Sequence, residues 1–380
     1  MGLFSKQESY VGVDIGAHGI KLVELRKNKG RPQLWTYGIL DRGLDIHIPI
    51  THEKDVDELL HEDDLTYKKE DAKNFSPAIQ EAVMKDGRVD EYAKLLKTLL
   101  KKVKVQTKKA TSSLPVSHVF HAIINLPKVE TKEIQGIVKA EVSKMLPRPV
   151  EEMQIVHQEI PVEEEKKQKY MRILVTAAPK ALVAFYTSIF ERAGLELQEL
   201  ETEAFALSRS LVGNDKTVSM VVDIGAERTN LFIIDNSIPV THRSLHLGGN
   251  DIDAVFAKQL GLSEDMMGQI KKDLSHEAKH NLDSKVFSHI FEPIAKEIEY
   301  GFDLYIKQSG NEQKRPEKII LTGGSALFQP ITDYISERFS LKVFVGDPWA
   351  RVMYQDGLRS ILDEVGPRMS VSIGLALRNF

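Results

Sequence analysis

Two aspartates stand in the same tetrapeptide, Asp-Ile-Gly-Ala, at 14–17 and again at 223–226. Each closes an apolar run and is followed by a second run that begins at Leu22 or Leu231. A strand, turn and strand of this kind carry one carboxylate and several backbone N–H groups at the tip. A triphosphate with Mg2+ needs just those parts: backbone donors, a cation, and carboxylates that hold the metal directly or through water. Gly16 and Gly225 let the backbone come close. Asp14 and Asp223 can orient the waters around a metal from two sides, Lys21 can meet a phosphate as a point charge, and Thr229 can donate its hydroxyl. One tip alone reads as a capped turn. Two tips, together with a Gly323-Gly324-Ser325 turn that follows a strand and opens a helix, read as a clamp for a nucleotide.

The elements that must position these groups repeat as well. Strands are expected at 10–16, 19–26 and 33–40, and an amphipathic helix at 88–104 with its cationic end C-terminal, where the helix dipole favours it. Residues 41–87 are acidic and aperiodic, which predicts a surface excursion. An α+β block follows: strand 119–126, helix 130–146, strands 153–162 and 170–178 with the charged 163–169 as their hairpin loop, and helix 180–193 stopped at Gly194. A helix at 201–211 leads into the second hairpin at 218–235. A third strand, 238–246, ends in Gly248-Gly249; residues 251–309 read as helical, 318–321 as a strand, and the chain then runs helical to 339. The pattern predicts an α/β fold of two similar halves, each carrying an insertion.

Composition narrows the function. With 380 residues there is room for two domains or more, and a net charge of −4 gives no basic field for nucleic acid. Cysteine is absent, which excludes disulfides and thiolate metal sites. No apolar stretch reaches the length of a membrane span, and the first residues are too short for a signal peptide, so a cytoplasmic chain is expected. His47, His52 and His61 show no helical i, i+4 pairing and read as exposed loop histidines. Nothing here forms a nucleophile elbow.

Taken together, these motifs resemble the actin-like ATPase superfamily, which includes actin, Hsp70 and sugar kinases. Residues 14–21 look like its first phosphate loop, 223–230 its second, and 321–327 its adenosine motif. Within it, the set is most similar to the PilM family of type IV pilus assembly. The phrases that carry this are Ile20-Lys-Leu-Val-Glu-Leu, Glu203-Ala-Phe-Ala-Leu, Asp223-Ile-Gly-Ala-Glu-Arg-Thr, Arg243 with Leu247-Gly-Gly-Asn-Asp, and Glu297-Ile-Glu-Tyr-Gly. The first loop departs from the family in carrying Ala17-His18-Gly19 where Ser residues are usual, and Met267-Gly268 replaces an Ala-Glu pair.

The resemblance implies two ribonuclease H-like halves around a nucleotide cleft. It places core subdomain 1A at 1–117 and 194–216, inserted subdomain 1C at 118–193, core 2A at 217–250 and 313–380, and helical 2B at 251–312. It implies ATP and Mg2+ as ligands, held by Asp14, Gly16, Ala17, His18, Gly19 and Lys21 on one side. On the other stand Asp223, Gly225, Ala226, Glu227, Arg228, Thr229 and Asn230, with Gly248, Gly249, Lys271, Lys272, Gly323, Gly324 and Ser325 around the nucleoside. Glu203 matches a position that orients metal or the attacking water; its residue type alone equally allows a solvated helix carboxylate. The implied function is an ATP-binding scaffold with slow hydrolysis or none. It would be recruited to the inner face of the membrane by the cytoplasmic N-terminal peptide of PilN, held between the first core and the inserted block near 119–126 and 130–146. Pilus motor or platform proteins and self-association are further partners the resemblance leaves open. A filament-forming FtsA-like protein and a small-molecule kinase are the alternatives on the same fold.

Overall fold

A computed structural model describes residues 8–47, 75–160, 170–261, 288–308, 311 and 313–380. The chain begins with a meander of β1 (Ser9–Gly16), β2 (Gly19–Asn28) and β3 (Arg31–Asp41). After α1 (Pro77–Lys85) and α2 (Gly87–Lys102), β4 (Lys109–Leu114) joins β1 in parallel, and much later β8 (Glu196–Thr202) joins β4. The resulting sheet has the order β3-β2-β1-β4-β8. A second meander of β9 (Ser219–Ile224), β10 (Thr229–Asp235) and β11 (Ile238–Leu245) is extended in the same way by β12 (Lys318–Thr322) and β13 (Lys342–Val345). Its order, β11-β10-β9-β12-β13, repeats the first. The two-half reading is therefore correct at the level of strand order.

Several details differ from expectation. β4, β8 and β13 add to the expected strands, and the helix expected at 201–211 begins only after a strand, as α5 (Glu203–Leu207). The excursion at 41–87 is not all surface: Leu44 and Ile46 are buried, and α1 closes it with Ser76 as N-cap and Val83 in the core. Residues 48–74, 163–169 and 267–268, with His52 and His61, lie outside the described residues.

The inserted block holds β5 (Phe120–Pro127), α3 (Thr131–Ser143), β6 (Met153–Ile160), β7 (Tyr170–Pro179) and α4 (Lys180–Ala193). Its sheet has the order β5-β7-β6, and α4 ends at Gly194 with φ 83°, where a left-handed residue stops the helix. One face of this sheet is covered by α3 through Ile134, Val138 and Val142. The other face sends Ile160 and Leu174 into the core of the second half, while α4 packs Phe185, Tyr186 and Phe190 against Tyr92 and Leu96 of the first.

The helices around the second sheet are α6 (Gly249–Leu260), α7 (Ser288–Lys307) and α8 (Gln329–Arg338). Arg243 of β11 donates from Nε to Glu297 Oε1 at 2.5 Å and lies 4.9 Å over the Tyr300 ring, so two sequence phrases join in one structural contact. The last helix, α9 (Arg359–Ala376), packs on both halves. The boundary drawn at 313–380 puts it in the second half, yet Leu362, Met369 and Ile373 pack on Val23 and Leu25 of the first sheet. Gly12 makes that seat close, because a Cβ there would lie 2.1 Å from Ser372 O. The other side of α9 holds the second sheet: Thr322 Oγ1 donates to Pro367 O at 3.1 Å and lies 2.7 Å from Ser370 Oγ. α9 is the seam.

Candidate functional site

The two hairpins face each other across a cleft of about 610 Å³. Register explains how each tip is furnished. In the first hairpin Asp14 pairs directly with Lys21 across the strands, and Lys21 Nζ lies 3.3 Å from Asp14 Oδ2. Ser113 at the end of β4 donates to Asp14 Oδ1 at 3.4 Å. In the second hairpin the partner of Asp223 is Asn230, whose Nδ2 turns to Glu203 Oε2 at 3.3 Å. Glu203 stands at the start of α5 and also accepts the backbone N–H of Val116. It is a cleft-floor residue, not a solvated helix carboxylate.

Three carboxylates with one lysine make this floor electrostatically crowded. Burial, then the charge of Asp14, pushes Asp223 up to about 7 against the pull of Lys21. Glu203 is driven well above the ordinary carboxylate range by burial and by the charges of Asp14 and Asp223. An added cation would relieve both shifts. Among the described residues no group of three or more His, Asp or Glu side chains could hold a metal ion. Arg228 Nε is a buried donor without a partner beside the same cleft. An anion carrying a divalent cation fits this donor set.

Most of the residues expected at the site line the cleft. Asp14, Gly16, Ala17, His18 and Lys21 do so from the first half; Asp223, Gly225, Ala226, Glu227, Arg228 and Asn230 from the second; and Glu203, Gly249, Gly323, Gly324 and Ser325 complete it. The start of α6 is tied to the second loop, with Gly249 N donating to Gly225 O at 2.8 Å and Asn250 N to Ala226 O at 2.9 Å. Gly323 takes φ 90° directly over the second loop, where a Cβ would be 2.4 Å from Ile224 O, so only glycine lets this turn close down.

Three of the expected residues do not line the cleft. Thr229 is fully buried and its hydroxyl donates to Leu247 O at 2.8 Å, so it is no phosphate donor in this arrangement. Gly19 is spent in the sheet, paired with Asp41 of β3. Gly248 sits behind the cleft wall, its N–H donating to Asp251 Oδ2 at 2.8 Å. Lys271 and Lys272 lie outside the described residues.

Other residues enter that sequence reasoning missed. Asp41 at the end of β3 accepts from Arg368 of α9 across the cleft mouth, and Glu364 lies one turn earlier. Their i, i+4 spacing reads only as a helix-surface pair. His47 is no exposed loop histidine: its Nδ1 is 3.1 Å from Ser117 Oγ and its Nε2 3.8 Å from Glu227 Oε2. Burial, with Arg228, His118 and His246 nearby, lowers it to about 4.

Comparison with known proteins gives a consistent answer. Residues 58–380 match the family described as type IV pilus assembly protein PilM. The fold is similar to that of a solved PilM-PilN type IV pilus biogenesis complex, with a TM-score of 0.74 and 21% identity over 97% of this chain and 98% of that one. It is also similar to the ethanolamine utilization protein EutJ from Carboxydothermus hydrogenoformans, with a TM-score of 0.51 and 16% identity over 97% and 90% of the two chains. Among the described residues no helix is long and apolar enough to cross a membrane.

Proposed function

This chain belongs to the type IV pilus assembly protein PilM family, and on that premise we propose that it is a nucleotide-responsive scaffold. It binds Mg·ATP in the cleft and engages a PilN-like membrane protein through that protein's cytoplasmic N-terminal peptide. The observation that carries the nucleotide reading is the juxtaposition of Asp14, Asp223 and Glu203 under two facing glycine-containing loops.

In this reading Gly16, Gly225 and Gly324 let backbone lie along the ligand, and Lys21 and Arg228 offset phosphate charge. Asp14 and Asp223 orient waters around Mg2+, and the ion, when bound, neutralises phosphate oxygens. Glu203 acts as a positioning group. Burial and the charges of Asp14 and Asp223 push its carboxyl up, which disfavours the carboxylate form that a base needs until a cation enters. Together with the missing loop hydroxyls at Ala17 and His18, this favours slow hydrolysis or none. The differential affinity of the open and closed arrangements for nucleotide would then set peptide binding.

For the peptide, the family resemblance points to the groove between the first core and the inserted block near 119–126 and 130–146, and the strand edges of the block's sheet narrow the choice. The outer edge of β5 lies beside β11, with His121 and His242 rings 5.3 Å apart, whereas β6 is an edge strand with Val156 exposed. An extended peptide adds most readily to such an edge. Calorimetric titration of Mg·ATP, with Asp223→Ala as control, tests the first half of the proposal: micromolar binding lost in the variant is expected, and no binding by the natural chain overturns it. Hydrogen exchange with and without a PilN N-terminal peptide tests the second. Slowed exchange in β6 is expected; protection confined to the second half would contradict it.

A further inference from the structure

The segment leaving β3 crosses from one loop tip to the other. Leu44 N donates to Ala17 O at 2.9 Å, and Leu44 and Ile46 are buried, so residues 42–47 form a strap fixed on the first loop. Arg88 Nη1 braces it by donating to Asp45 O at 2.9 Å. At its end His47 reaches over the second loop, 3.8 Å from Glu227 Oε2. Ser117 holds Nδ1 at 3.1 Å, and the His118 ring lies 5.9 Å away while bonding to the His47 backbone. The charged and titratable groups that face the His47 ring are thus Glu227, Arg228 and His246 from the second half and His118 from the start of the inserted block.

We infer that His47 is the residue by which the cleft distinguishes a nucleoside triphosphate from a diphosphate, as an imidazolium donor to the terminal phosphate beside Arg228. The inference rests on the nucleotide reading above. His47 lines the same cleft as both loop tips, with His18 on the first tip and Glu227 and Arg228 on the second, and the terminal phosphate is placed between them. On that placement a ligand shorter by one phosphate would stop short of it.

The ring's surroundings make the contact selective. Without ligand, burial and the nearby Arg228 keep His47 neutral at pH 7, lowered to about 4. An anion within hydrogen-bonding range raises a histidine by about 1–3 units. Because the shift on binding is upward, triphosphate binding takes up a proton and tightens as the pH falls from neutrality towards 5. The diphosphate lacks this linkage.

The test is calorimetry of Mg·ATP and Mg·ADP at pH 6 and pH 8, in buffers of contrasting protonation enthalpy, on the natural chain, H47Q and D223N. Subtracting H47Q removes the ligand's own protons. We expect proton uptake with Mg·ATP alone, absent in H47Q. H47Q should lose about tenfold in Mg·ATP affinity at pH 6 and less than about twofold at pH 8, with Mg·ADP unchanged, for a shift near the upper end of that range. Equal losses for both nucleotides at both pH values would make His47 a structural tie and overturn the inference, as would unchanged proton uptake in H47Q. If the natural chain binds and D223N does not, such a failure falls on His47 alone. If the natural chain binds neither nucleotide, both readings fall.

Discussion

The two halves share a strand order but not a charge pattern. Opposite Asp14 in the first hairpin stands Lys21; opposite Asp223 in the second stands Asn230. One position in register therefore decides whether a buried aspartate has its own cation. Asp14 has one at 3.3 Å, while Asp223 is left to share its field with Glu203 and Asp14. Repetition of a fold thus built the cleft, and the change at this register position leaves Asp223 without a paired cation.

Removing the unbalanced group is the most drastic way to break this comparison. Asp223 is raised from 3.8 to about 7, so the folded chain binds more protons than the unfolded one and loses stability as pH rises through that window. At about 1.4 kcal/mol per unit, the upper bound on the loss is about 4 kcal/mol by pH 7.5. Urea denaturation of D223N without Mg2+ should lack this downward component; an unchanged difference between pH 4.5 and 7.5 would show that Asp223 is not held high.

Making the second hairpin resemble the first sharpens the point. Asn230→Lys places an ammonium where Lys21 stands in the first, and should recover about 1–3 kcal/mol of that loss at pH 7.5. It should also weaken Mg·ATP binding, since the new charge competes with the metal. Tighter Mg·ATP binding in N230K would refute the account. The smallest effect is expected at Thr229→Val, which removes the bond to Leu247 O and should cost about 1 kcal/mol in denaturant stability. Its Mg·ATP affinity should stay within about twofold, because the hydroxyl faces away from the cleft.

The hairpins were legible because their function demands an apolar run, a carboxylate and glycine in fixed order, all local in sequence. The missing strands were not. β4 reads Lys-Ala-Thr-Ser-Ser-Leu, without an apolar alternation, yet its serines are buried because Ser112 donates to Val13 O and Ser113 to Asp14. β8, with three glutamates in seven residues, looks like the start of a helix until parallel pairing with β4 fixes it as an edge. The candidate site divides the same way. Loop residues were read from their motif, whereas His47, Asp41 and Arg368 arrive through tertiary packing with no spacing to announce them. Thr229 shows the converse: a residue type suited to phosphate is already committed to the Leu247 carbonyl.

The inserted block is also a mechanical part of the molecule. Its helix α4 is seated among side chains of the first core, and its sheet rests Ile160 and Leu174 in the second. It therefore behaves as a staple. A tug on the block from a membrane-anchored partner must strain two apolar seats at once, and a change in cleft width must shear one seat against the other. Packing thereby couples a pull on the block to the geometry of the cleft.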